Sequence, residues 1–196
     1  MKNKWYKAAI AVLSAACLYL LFDSIDAQRT SDQKYNTYII DLYGALQQAE
    51  YDVSVLLEEP DDEEDLTRQV NRLASSLKVL DTYAVRNPPY FDEIGSWQWA
   101  EFGRLAELIS EGTEEMPPFF EGRGLSEPER KVLEIFHEDY MLRIMDLMTV
   151  KDEDGSLIEL PALTPDEFNR MQDAVEWKKD AGYPGPDRWL QRLQDN

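Results

Sequence analysis

YNTYIIDLYGALQQAEYDVSVL, residues 35–56, decides how this chain folds. Tyr35, Ile39, Leu42, Leu46, Ala49, Val53 and Leu56 step by 4,3,4,3,4,3, a strict heptad seam. Asp41, Gln47, Gln48, Glu50 and Asp52 occupy the rest of the circumference and read as a solvated face. Tyr38 and Tyr43 flank the seam and widen its apolar stripe. The spacing predicts a helix over 32–58, and leaves open whether it continues from the segment before it.

Glu59-Pro60-Asp61-Asp62 interrupts the pattern, which then repeats as Leu66, Val70, Leu73, Leu77, Leu80 and Ala84. Proline is tolerated in a first helical turn, and the acidic run 61–65 suits the positive end of a helix dipole. Two long seam helices joined by a short turn predict an antiparallel helical hairpin. Carboxylates crowded on consecutive positions do not converge on one ion, so the acidic run reads as a helix start and not as a calcium loop.

Beyond the hairpin, Asn87-Pro88-Pro89 stops the second helix. A third helix is expected over 92–111 with Ile94, Trp97, Phe102, Leu105, Leu108 and Ile109 inward and Gly112 as C-cap. Ser126 and Glu129 form a capping box opening a fourth helix to about Met148, with Leu133, Phe136, Tyr140, Ile144 and Leu147 inward. Met148-Thr149-Val150 and 157–160, around Asp154-Gly155, are expected to pair as a small β-hairpin. Thr164, Pro165 and Glu167 signal a fifth helix carrying Phe168, Met171, Val175 and Trp177, and a short amphipathic end follows with Trp189, Leu190 and Leu193. The fold class is mainly α: a bundle built on the hairpin, preceded by a membrane anchor.

That anchor is AAIAVLSAACLYLLF, residues 8–22. Fifteen residues cover about 22 Å as a helix against a hydrocarbon core of about 30 Å. Trp5, Tyr6 and Tyr19 suit the interfaces and Lys7 can snorkel, extending the reach by about a turn. Lys2, Lys4 and Lys7 precede the run without any acidic residue, so the positive-inside rule places 1–7 in the cytoplasm and the rest outside. Cleavage would set Ile25 and Ala27 at the small-residue positions behind two aspartates, and lipidation at Cys17 would have Leu13 one position early; an uncleaved anchor fits better. The expected organisation is a basic tail (1–7), an anchor (8–22), a polar collar (23–31) and one extracytoplasmic helical domain (32–196).

Three of the 20 basic residues precede the anchor, leaving 17 against 39 acidic, a net of −22. Such a surface repels nucleic acid and anionic headgroups, so neither is expected to bind the domain. Cys17, the one cysteine, lies in the anchor, so the domain has no disulfide, and there is no Asn-x-Ser/Thr acceptor. Both features point to a bacterial envelope.

Chemistry-bearing patterns are few. His137 is the only histidine; Glu134 makes Glu-x-x-His with it, the di-iron bundle spacing, but a second such motif is missing. Met141 stands where a zinc-protease pattern begun at His137-Glu138 needs its second histidine. Asp152, Asp154 and Gly155 lack the end ligands of a calcium loop, with Val150 and Pro161 in those places. No metal or cofactor is expected. Nucleophile elbows and phosphate loops are absent from the sequence. Pro88-Pro89-Tyr90-Phe91-Asp92 is echoed by Pro117-Pro118-Phe119-Phe120-Glu121. Tyr90, Phe91, Phe119 and Phe120 are therefore the candidate partner-binding residues, or else pegs pinning loops to the bundle. Phe91 and Phe120 are expected inward, Tyr90 and Phe119 nearer the surface.

The sequence reads as a non-catalytic binding, sensing or accessory module of the cell envelope, with an envelope protein or peptide as partner. The alternatives are an envelope hydrolase using paired carboxylates, and a homodimer joined through the hairpin seam.

Overall fold

The computed structural model describes residues 2–58, 63–86, 94, 102–112, 116–119, 124–151, 157–159 and 163–175. It is mainly helical. Tyr90, Phe91, Trp97, Phe120, the 152–156 turn and 176–196, all singled out from the sequence, lie outside the described residues.

Helix α1 runs Lys2–Leu57, so the expected seam helix begins far upstream of residue 32. The chain divides into two compact units, Met1–Tyr38 and Ile39–Asn196. In the first, Leu13, Leu18, Tyr19, Leu20, Leu21, Phe22 and Ile25 are exposed large hydrophobics, while Tyr35 and Tyr38 are buried. Burial, and then the neighbouring Tyr35, push the Tyr38 phenol above its ordinary range. Among the described residues, no helix is long and apolar enough to cross a membrane.

The second unit holds the core. Helix α2, Glu63–Asp81, opens on Glu63, Glu64 and Asp65, which complement its N-terminal dipole. A π-helical turn, Thr82–Arg86, extends it. Every seam residue read from the sequence in both helices is buried within the single chain. Each fully buried leucine contributes about 1.5–3 kcal/mol of transfer free energy.

Helix α3 is shorter than expected, Phe102–Glu111, with Phe102, Leu105, Ala106, Leu108 and Ile109 buried. It packs on α2 at Gly103, whose N–H donates to Asp81 Oδ1 at 3.3 Å. A Cβ at Gly103 would lie 2.8 Å from that oxygen, so a side chain there would make the Asp81 carboxylate shift and loosen this bond. Gly112 ends α3 with φ of 71°, the left-handed conformation expected of a C-cap.

Helix α4, Glu127–Ile135, passes through a π-helical turn, Phe136–Met141, into α5, Leu142–Met148. The Ser126 N–H and hydroxyl both donate to Glu129 Oε2 at 2.6 Å, the backward half of the capping box. Phe102, Phe136 and Tyr140 form an aromatic triangle with centroids 5.7–6.1 Å apart. The inward face then departs from the expected pattern: Leu147 is exposed, and Met141 and Met148 are buried instead. Ile144, just past the turn, is buried as expected, and the stripe then steps by four to Met148 rather than by three to Leu147.

Strands β1, Val150–Lys151, and β2, Leu157–Glu159, pair antiparallel. Met148 closes α5 and Thr149 is its C-cap, so neither belongs to the first strand as the sequence suggested. Helix α6, Pro165–Val175, buries Phe168 and Met171. Its box is complete: the Thr164 N–H and hydroxyl donate to Glu167 Oε2 at 2.8 Å, and the Glu167 N–H donates back to Thr164 Oγ1 at 3.3 Å. The donated backbone bond, then the hydroxyl, hold the Glu167 carboxyl below its ordinary range.

Candidate functional site

A period-four polar ladder runs up α2 beside its seam: Glu64, Arg68, Arg72, Ser76. Thr67, Asn71 and Ser75 stand next to it. Across from them, on α1, are Gln48 and Asp52. Asp52 immediately precedes the seam residue Val53, and it is fully buried rather than solvated. The reason is its position at the edge of the α1–α2 contact, where α2 covers it. Its carboxylate is held from three directions. Gln48 Nε2 donates to Oδ1 at 3.0 Å, Ser76 Oγ donates to Oδ2 at 2.6 Å, and Arg72 Nη2 lies 3.5 Å from Oδ1.

These residues line an open groove of about 1030 Å³. Every described side chain lining it is polar. Arg72 and Arg68 remain 48% and 59% exposed, with Arg68 paired to Asp65. Thr67 Oγ1 donates to the Glu63 carbonyl at 2.9 Å and Ser75 Oγ to the Asn71 carbonyl at 2.8 Å, so both hydroxyls keep acceptor capacity. Asp52 accepts a hydrogen bond at each of its two oxygens.

A second polar cluster joins α1 to the π turn. His137 Nε2 lies 2.9 Å from Glu50 Oε1 and 3.3 Å from Ser54 Oγ, and Ser54 Oγ donates to the same Glu50 oxygen at 3.0 Å. The residue types match an acid–histidine–serine relay, but the geometry does not. A relay places acid and serine on opposite ring nitrogens, whereas both meet Nε2 here, and the serine proton goes to the acid. Further along, Arg130 Nη1 donates to the Leu57 carbonyl at 3.2 Å, where a cation complements the C-terminal end of α1. The two contacts pair 50 with 137 and 57 with 130, so α1 and the α4 segment run antiparallel there. The cluster is a latch between helices. Among the described residues no three acids, histidines or cysteines are grouped to hold a metal ion.

Of the four aromatic residues nominated from the sequence, Phe119 is described, and it corrects the expectation. It is 5% exposed, not surface-lying. Its N–H donates to the Ile109 carbonyl at 3.1 Å, which satisfies a carbonyl near the end of α3 and ties the segment to that helix. Phe119 is a peg. The signal for the groove was present in the sequence as the four-residue spacing on α2, but the same spacing describes any solvated helix face.

No family model, curated protein or solved structure matches this chain.

Proposed function

We propose that this protein is a single-pass, membrane-anchored binding module. Its helical domain, residues 32–196, faces out of the cell and recognises a polar envelope partner without catalysing a reaction. The observation that carries the reading is the row Leu18, Tyr19, Leu20, Leu21 and Phe22, all between 57% and 71% exposed on α1. Consecutive residues of a helix point around its whole circumference, so this segment is apolar on every side. A helix hydrophobic all round belongs in a protein core or in lipid. Lys2, Lys4 and Lys7 ahead of it favour lipid and set the orientation. The 8–22 run is shorter than a bilayer core, which local thinning and the flanking aromatic and lysine residues accommodate at modest cost. The antiparallel hairpin of α1 and α2 is part of the same reading, supported by the bridge from Asp52 to Arg72 and Ser76. Protease added to intact protoplasts is expected to digest 32–196 while a membrane-embedded stub survives. Full protection of the domain would sink the proposal.

A further inference from the structure

Exposure along α1 changes abruptly. Every residue from Ala16 to Lys34 is exposed, and burial begins at Tyr35. The large apolar residues of that stretch come first, ending with Phe22 and Ile25. The row from Asp23 to Lys34 is polar but for Ile25 and Ala27, which point about 160° apart around the helix. A helix in water draws its stability mainly from packing an apolar face, and a short one without such a face is marginal. Thr30 Oγ1 donates to the Asp26 carbonyl at 2.9 Å, and Thr37 Oγ1 to the Gln33 carbonyl at 2.9 Å. Such back-bonds bend and slightly weaken a helix. Beyond the apolar run, this row is therefore the part of α1 that opens most readily.

Basic residues are placed just as selectively. Between Lys7 and Arg68 the chain has two, Arg29 and Lys34, and both fall in this row. Their surroundings differ. Arg29 has exposed residues on both sides, from Asp26 to Gln33. Lys34 abuts Tyr35, which is 8% exposed, so opening the backbone there pulls on the core. An endoprotease takes its substrate extended, so a bond within a helix is cut only as often as its segment unwinds. The Arg29–Thr30 bond can unwind without disturbing a buried residue.

We propose that the Arg29–Thr30 bond is a release site, at which an endoprotease specific for basic residues cuts the helical domain from its anchor. Water adds to the Arg29 carbonyl carbon and the C–N bond to Thr30 breaks. Arg29 keeps the new carboxylate and Thr30 gains the ammonium. The cut divides the chain by exposure. The exposed apolar row stays with the anchor, and every described buried residue leaves with 30–196. The inference rests on the membrane-anchored reading and adds a way for the domain to leave the membrane.

Trypsin at limiting dose is the probe, applied to the full chain in detergent and to intact protoplasts carrying it. The solubilised chain has no sidedness and tests the site alone, whereas protoplasts test the site and the topology together. In both, the stub that keeps the apolar run is expected to end at Arg29, and its complement to begin at Thr30, by mass and N-terminal sequencing. From protoplasts that complement is expected in the supernatant, with the melting temperature of the full chain. Arg29→Gln is expected to slow the separation about tenfold and move it to the Lys34–Tyr35 bond. Lys34→Gln is expected to leave it unchanged. Both side chains are exposed, so the variants keep the fold, which melting curves check. A stub ending at Lys34 or beyond in the unaltered chain, an unchanged rate in Arg29→Gln, or loss of the melting transition after the cut would overturn the site. A cut in detergent without release from protoplasts would instead overturn the outward placement of the domain, and its release with it.

Discussion

Asp52 shows how one position can be misjudged from periodicity. A heptad pattern assigns it to the polar face because it is charged and one step from the seam. Whether that column meets water depends on what covers it, and Ser76 and Arg72 of α2 do. Burial also sets how much its bonds matter. Ser76→Ala would leave one oxygen of the buried Asp52 carboxylate without its hydroxyl donor, a loss of about 1–3 kcal/mol. Ser54→Ala removes a comparable bond from Glu50, but Glu50 and His137 side chains are 26% and 18% exposed, so water can substitute. Its cost is expected near the ordinary net value of about 0.5–1.5 kcal/mol. Urea unfolding of the two variants checks the order; a larger loss at Ser54 would mean that burial does not rank these clusters.

Among the elements, the two seam helices were the most legible, because each apolar position is confirmed by neighbours three and four residues away. Every seam residue is indeed buried. The caps were legible for a related reason: Ser126 with Glu129, and Thr164 with Glu167, are local chemistry that needs no distant partner. What could not be read was the π turn Phe136–Met141, since no residue in FHEDYM demands an i→i+5 bond. The inward Met148 and the outward Leu147 were missed as well. The groove was hidden likewise, as it exists only where α1 faces α2. Leu46 and Leu73, both fully buried, measure the seam directly. Leu46→Ala or Leu73→Ala is expected to cost about 2–5 kcal/mol in chemical denaturation. Losses within error at both positions would mean that the seams do not hold the domain together.

At the scale of the whole molecule, charge is distributed very unevenly. Three lysines precede the apolar run, and everything after it carries 39 acids against 17 basic residues. Lysine and arginine close to a membrane segment set its orientation, whereas acidic residues contribute little and long domains cross largely regardless of charge. On the proposed anchored reading, the acidity of 32–196 would therefore be no barrier to export, and the short basic tail would fix the direction. Replacing Lys2, Lys4 and Lys7 together by glutamate removes that bias without touching the apolar run or the domain. The expected outcome is a mixed population, in which part of the domain becomes resistant to protease added outside intact protoplasts and sensitive again after lysis. Replacement by glutamine separates the two contributions, since it removes positive charge without adding negative. If positive charge alone retains the tail, the glutamine and glutamate variants will invert to a similar extent. An unchanged, fully accessible domain in both would show that the apolar run orients itself by something other than the lysines, and the assignment of 1–7 to the cytoplasm would lose its physical basis.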